Sequence, residues 1–115
     1  MRIRNATTGE IVATEVKKAN GWKERMVGLI PRKRVSPREG VWFDDCFAIH
    51  TVGMQTQIDV IFLDAEQKVL RTMCKVPQNR LAVACQGAQS VIELGSGALD
   101  GCDVLIGDQF ILEED

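Results

Sequence analysis

The alternation of apolar and polar residues changes phase every few positions along this chain, and most of its apolar runs have the length of strands rather than helices. The densest stretch, AIHTVGMQTQIDVIFLD (48–64), ends in the run IDVIFLD. In a strand, Ile58, Val60 and Phe62 line one face and Asp59, Ile61 and Leu63 the other. Both faces are mostly apolar, which predicts a central strand covered on both sides. Asp59 then sits on a semi-buried face, where an unpaired carboxylate is costly or shifts its pKa, so it needs a partner.

Around this stretch, RIRN (2–5) and EIVATEV (10–16) flank a turn with Gly9 and read as a hairpin. Asn20 caps a predicted helix over 21–30, with Trp22, Met26, Leu29 and Ile30 as its apolar stripe and Pro31 as its stop. Arg25 lies at the edge of that stripe. Short strands are predicted at 41–43 and 46–49. KVLRTMCKV (68–76) has Leu70, Thr72, Cys74 and Val76 on one face and Val69, Arg71, Met73 and Lys75 on the other, suiting a half-exposed partner of the central strand. LAVAC (81–85) reads as a short strand or a loop, and SVIEL (90–94) as a strand with Glu93 on the face of Val91. ALDG is expected to form one helical turn, and Gly107-Asp108 a turn before the last strand. The expected fold is mainly β (α+β). It is a compact antiparallel β-barrel or half-barrel, with one main helix packed across it, in a single domain over 1–115.

Composition adds exclusions. With 45% apolar and 26% charged residues, the chain has the make-up of a soluble globular domain. It has no membrane-length apolar run and its first residues lack an apolar signal core, so a cytoplasmic protein is expected. Cys46, Cys74, Cys85 and Cys102 are irregularly spaced beside a lone histidine, which predicts reduced thiols, no metal site and no cofactor. Cys46 and Cys74, inside apolar runs, are expected to be buried. Residues 1–38 carry ten Lys/Arg and three Asp/Glu, whereas 39–115 carry four and thirteen. One domain with a basic side and an acidic side is the expectation, able to steer an anionic partner or to self-associate.

The order of motifs resembles the DUF192 family. The matching residues are Arg25 with Gly28-Leu29, IHTVGM (49–54), IDVIFLD (58–64), VIEL (91–94) with Gly97, and Gly107-Asp108. The resemblance spans about residues 19–112. It implies a small β-barrel-like domain crossed by one helix and a polar cluster drawn from these motifs, with no assigned activity. Gln57 stands where members often have proline, and Gln67 where the hairpin commonly has glycine.

His50 is the candidate for acid–base work, since its ordinary pKa is near neutrality. Paired with Asp59 or Glu93 it could act as a base, and Arg25 could hold an anion. Arg25, His50, Thr51, Asp59 and Glu93 form the candidate polar cluster. A basic loop of Arg32, Lys33, Arg34 and Arg38 is a second feature, without the interleaved aromatics of a nucleic-acid site. Three functions follow in order of preference. The first is a non-catalytic binding module taking a small anionic ligand or a protein segment around His50. The second is a hydrolase using His50 with Asp59 or Glu93. The third binds a polyanion or acidic partner through loop 32–38. Nucleic acid is disfavoured, and the sequence leaves the oligomeric state open.

Overall fold

In a computed structural model that describes residues 1–19 and 35–115, every regular element is a strand. The strands are β1 (Arg2–Asn5), β2 (Ile11–Ala13), β3 (Glu15–Ala19), β4 (Glu39–Asp44), β5 (Ala48–Ile49), β6 (Ile58–Leu63), β7 (Val69–Val76), β8 (Val83–Ala84), β9 (Ser90–Gly95) and β10 (Phe110–Glu113). The fold is therefore mainly β. The helix expected over 21–30 lies outside the described residues. The segment ALDG forms turns, with the Asp100 N–H bonded to the Gly97 carbonyl, not a helical element.

Three layers result. The middle one is a five-stranded sheet in the order β3-β4-β9-β6-β7, antiparallel except for the β3–β4 pair. Val41, Phe43, Val60, Phe62 and Val91 enter a core on one face, where the two-stranded ribbon β5-β8 supplies Ile49 and Val83. Trp42, Ile61, Leu63, Ile92 and Leu94 enter a second core on the other face. There the small sheet β10-β1-β2 supplies Ile3, Val12 and Phe110. Every residue of β6 and of β9 is buried, because both strands are interior to the sheet and both faces are covered. The middle position belongs to β9, with β6 beside it.

The barrel is not closed. The small sheet touches the two edges of the large one only locally, through the Lys68–Gln109 bridge and one bond from the Val16 N–H to the Met1 carbonyl (3.0 Å). Continuous ladders, which closure requires, are missing at both seams among the described residues.

The regular alternation expected for 68–76 is interrupted twice. Against β6, the pairs Ile58–Val76 and Val60–Met73 leave one extra residue in β7, and Phe62–Arg71 and Leu63–Val69 leave another. Each extra residue is a bulge that shifts the phase of the strand. Arg71, Met73 and Val76 consequently share the face of the first core, and Cys74, expected to be buried, is exposed.

Among the described residues, part of the charge asymmetry along the sequence is offset by pairing between its two halves. The antiparallel pairing of β1 with β10 sets Arg2 and Arg4 against Glu113 (3.3 and 2.8 Å), and Lys18 meets Asp44 at 2.9 Å. Among the described residues, charges from the basic third of the chain thus pair with acids from the remainder.

The β6–β7 turn is closed by the Asp64 carboxylate, which accepts the Glu66 and Lys68 N–H groups (2.8 and 3.0 Å). Gln67 adopts φ 64° there, in the left-handed region that favours glycine. Replacing Gln67 with glycine is expected to stabilise the protein by about 0.5–1 kcal/mol, the left-handed cost less the extra chain entropy. Urea unfolding of Gln67→Gly and wild type measures it, and a loss of stability contradicts the account of the turn.

Candidate functional site

The register between β6 and β9 decides what the candidate cluster can be. Asp59 stands opposite Leu94, and Val60 opposite Glu93. Asp59 therefore faces the second core with Leu94, and Glu93 faces the first core between Val41 and Val60. The sheet separates the two carboxylates that the sequence suggested as partners for one histidine.

Asp59 is fully buried and does have partners, but they are backbone amides. Its Oδ1 accepts the Lys75 N–H (2.9 Å) at the β7 bulge, and its Oδ2 accepts the Leu99 N–H (3.0 Å) in the turn after β9. Glu93 is also buried and is engaged in an interaction. Arg25, Arg32, Lys33 and Arg34 lie outside the described residues. Arg38 is exposed in the turn before β4, its N–H bonded to Ser36 Oγ at 3.1 Å.

His50 follows β5, where burial alternates: Ala48 half-buried, Ile49 buried, His50 half-buried, Thr51 buried. Ile49 and Val83, paired across the ribbon, point into the first core. His50 itself follows the ribbon and is half-buried. Thr51 is structural. Its hydroxyl donates to the Pro77 carbonyl (2.8 Å) and accepts the Arg80 N–H (2.8 Å), while its backbone N–H bonds the Arg80 carbonyl (2.9 Å). These bonds fasten the His50 segment to residues 77–80.

Beyond that joint lies an open groove of about 260 Å³, lined by Arg71, Met73 and Val76 of β7, Pro77 and Arg80, and residues 82–84. Arg71 and Arg80 are exposed, and neither makes an ion pair among the described residues. The sequence reading passed over this site. A signal was present: all four cations of residues 39–115 (Lys68, Arg71, Lys75 and Arg80) fall within 68–80, in an otherwise acidic stretch.

Two features that look like chemistry have structural explanations. Gly95, part of the Gly-Ser-Gly sequence, has the Ser36 carbonyl packed against it, so any side chain would collide with that crossing. Cys74 is exposed, yet partial burial, followed by the negative charges of Asp59 and Asp100, pushes its thiol above the ordinary value. A thiol held protonated is a poor nucleophile at neutral pH.

Asp44 is held the other way. Burial pushes its carboxyl up, but hydrogen bonds from Lys18 and Trp42, the Lys18 charge and a bond from Ser90 together bring it below the ordinary 3.8. A carboxyl depressed in the folded state stabilises fully above its unfolded pKa, and that contribution is lost as pH falls through the lower folded value. Carbon-detected NMR titration is expected to show Asp44 changing charge below 3.8, and rising in Lys18→Met. For Asp59, removing the charge while keeping the shape weakens two charge-assisted bonds and turns an amide toward a backbone donor. Asp59→Asn is expected to cost roughly 1.5–3 kcal/mol in urea unfolding. A neutral substitution would mean that the two amides find other acceptors.

Comparison with known proteins agrees with this architecture. No curated protein matches the chain. A protein of unknown function from Novosphingobium aromaticivorans shares 18% identity over 97% of this chain and 84% of its own, with a TM-score of 0.83. A protein from Sinorhizobium meliloti, described as a "putative transcription regulator", shares 19% identity over 96% of this chain and 89% of its own, with a TM-score of 0.80. At these identities the likeness establishes a common fold and nothing about activity. The model of the DUF192 family, described as "Uncharacterized ACR", matches residues 3–112. With nearly the whole length matched, the chain belongs to the DUF192 family.

Proposed function

We propose that the protein is a non-catalytic binding module that takes an anionic ligand on the face carrying the His50 ribbon. The observation that carries this reading is the groove between β7 and residues 77–84. Its apolar lining of Met73, Val76, Pro77 and Val83 is flanked by two exposed guanidinium groups. Binding sites commonly combine an apolar lining with a few polar groups that fix orientation, and arginine offers paired donors to carboxylate or phosphate.

Support over the hydrolytic alternative comes from what surrounds the three polar candidates. Asp59 is occupied by two backbone donors on the face away from the ribbon, Glu93 is buried and engaged in an interaction, and His50 is half-buried after β5. A general base needs its orienting partner within hydrogen-bond reach. No helix among the described residues is long and apolar enough to cross a membrane.

The test is NMR titration of the isotope-labelled protein with glutarate and with inorganic phosphate. Saturable shifts are expected at Arg71, Met73, Arg80 and Val83, weakened about tenfold in Arg80→Ser, equivalent to roughly 1.4 kcal/mol. Shifts that are absent, or that survive loss of both arginines, overturn the reading. His50→Gln is expected to change stability by less than about 0.5 kcal/mol, since the ring is half-exposed and outside the core.

A further inference from the structure

Among the described residues, the groove is bounded by two strand edges that have no strand partner. In the large sheet β7 comes last, paired with β6 on one side. On its other side only Val69 is engaged by backbone, donating to the Asp108 carbonyl and accepting the Gly107 N–H. In the ribbon, β8 pairs with β5 alone. Among the described residues, no backbone bond joins β7 to β8 across the gap, although residues from both line it.

We propose that this gap takes an extended acidic protein segment, which adds as a strand to the free edge of β7. The inference rests on the binding reading above and names its ligand class. An edge strand presents main-chain donors and acceptors, and an added strand gains affinity from those bonds and specificity from alternate side chains. Between its two bulges β7 keeps regular pairing over Arg71–Met73, the stretch that borders the groove. A space of about 260 Å³ lies below the usual range for enclosing a drug-sized molecule, but it suits one or two side chains of a segment lying along the edge.

Charge selects the occupant. Arg71 and Lys75 on β7 and Arg80 at the groove's end are all exposed cations. Charged residues and bulges on an edge oppose its pairing with a second copy of itself. The same cations attract a strand carrying carboxylates, so a second β7 is disfavoured where an acidic segment is favoured.

The experiment uses the full chain and three capped peptides. One alternates valine and glutamate, one replaces each glutamate with lysine, and one is the acidic peptide N-methylated at alternate amides. The acidic peptide is expected to shift the amide signals of β7 and β8 and to slow hydrogen exchange within 70–76. The lysine and N-methylated peptides are expected to bind at least tenfold more weakly. Arg71→Glu is expected to weaken the acidic peptide tenfold or more, while the wild-type comparison of N-methylated and parent peptides needs no variant to fold. Equal binding of the N-methylated peptide overturns strand addition, and equal binding of the lysine peptide overturns the charge argument. If glutarate shifts the groove and the acidic peptide does not, the inference falls and the anion-binding reading stands. If neither produces shifts, both fall.

Discussion

A carboxylate with no access to water must be given donors by the protein around it, and much of this structure can be traced to how Asp59 obtains them. Its two oxygens take N–H groups from Lys75 and Leu99, which belong to different parts of the chain. The first bond is made at a bulge, where Lys75 adopts φ 52° within a strand. The bulge changes the phase of β7, so that Val76 joins Arg71 and Met73 on the face of the groove. The second bond pins the turn that follows β9 against the second core. A group that looked like a catalytic partner thus sets the shape of an edge strand.

Much of the strand framework was legible because it depends on local composition. The fully buried β6 and β9 are runs of β-branched and large apolar residues, and the first hairpin has Gly9 at φ 83° where its turn requires it. The need for a partner at Asp59 was also legible, since burial of an unpaired charge is prohibitive wherever it occurs. The partners themselves were not. Backbone amides 16 and 40 residues away leave no mark in residue type.

What the sequence does not show shares a cause. Whether Asp59 and Glu93 share a face depends on the register between β6 and β9, which no residue in either strand announces. The phase of β7 depends on bulges, so simple alternation along the sequence places Cys74 in the wrong environment. Strand pairing also places Arg4 beside Glu113 from the far end of the chain, a contact that charge counts along the sequence do not show. The groove was missed for a related reason. Arg71 and Arg80 belong to different elements, and only the fold sets them along one opening.

The Thr51 joint narrows what its position can accept. One oxygen both gives a proton to Pro77 and receives one from the Arg80 amide, while the residue itself is sealed from water. Valine matches the shape but leaves a carbonyl and an amide without partners, and alanine does the same with a void added. Serine keeps both bonds at the loss of a methyl group. The permitted vocabulary at this site therefore comprises the two hydroxyl residues. Since the same oxygen links the His50 segment to the groove's end, divergence in either is constrained by a residue that does not touch solvent.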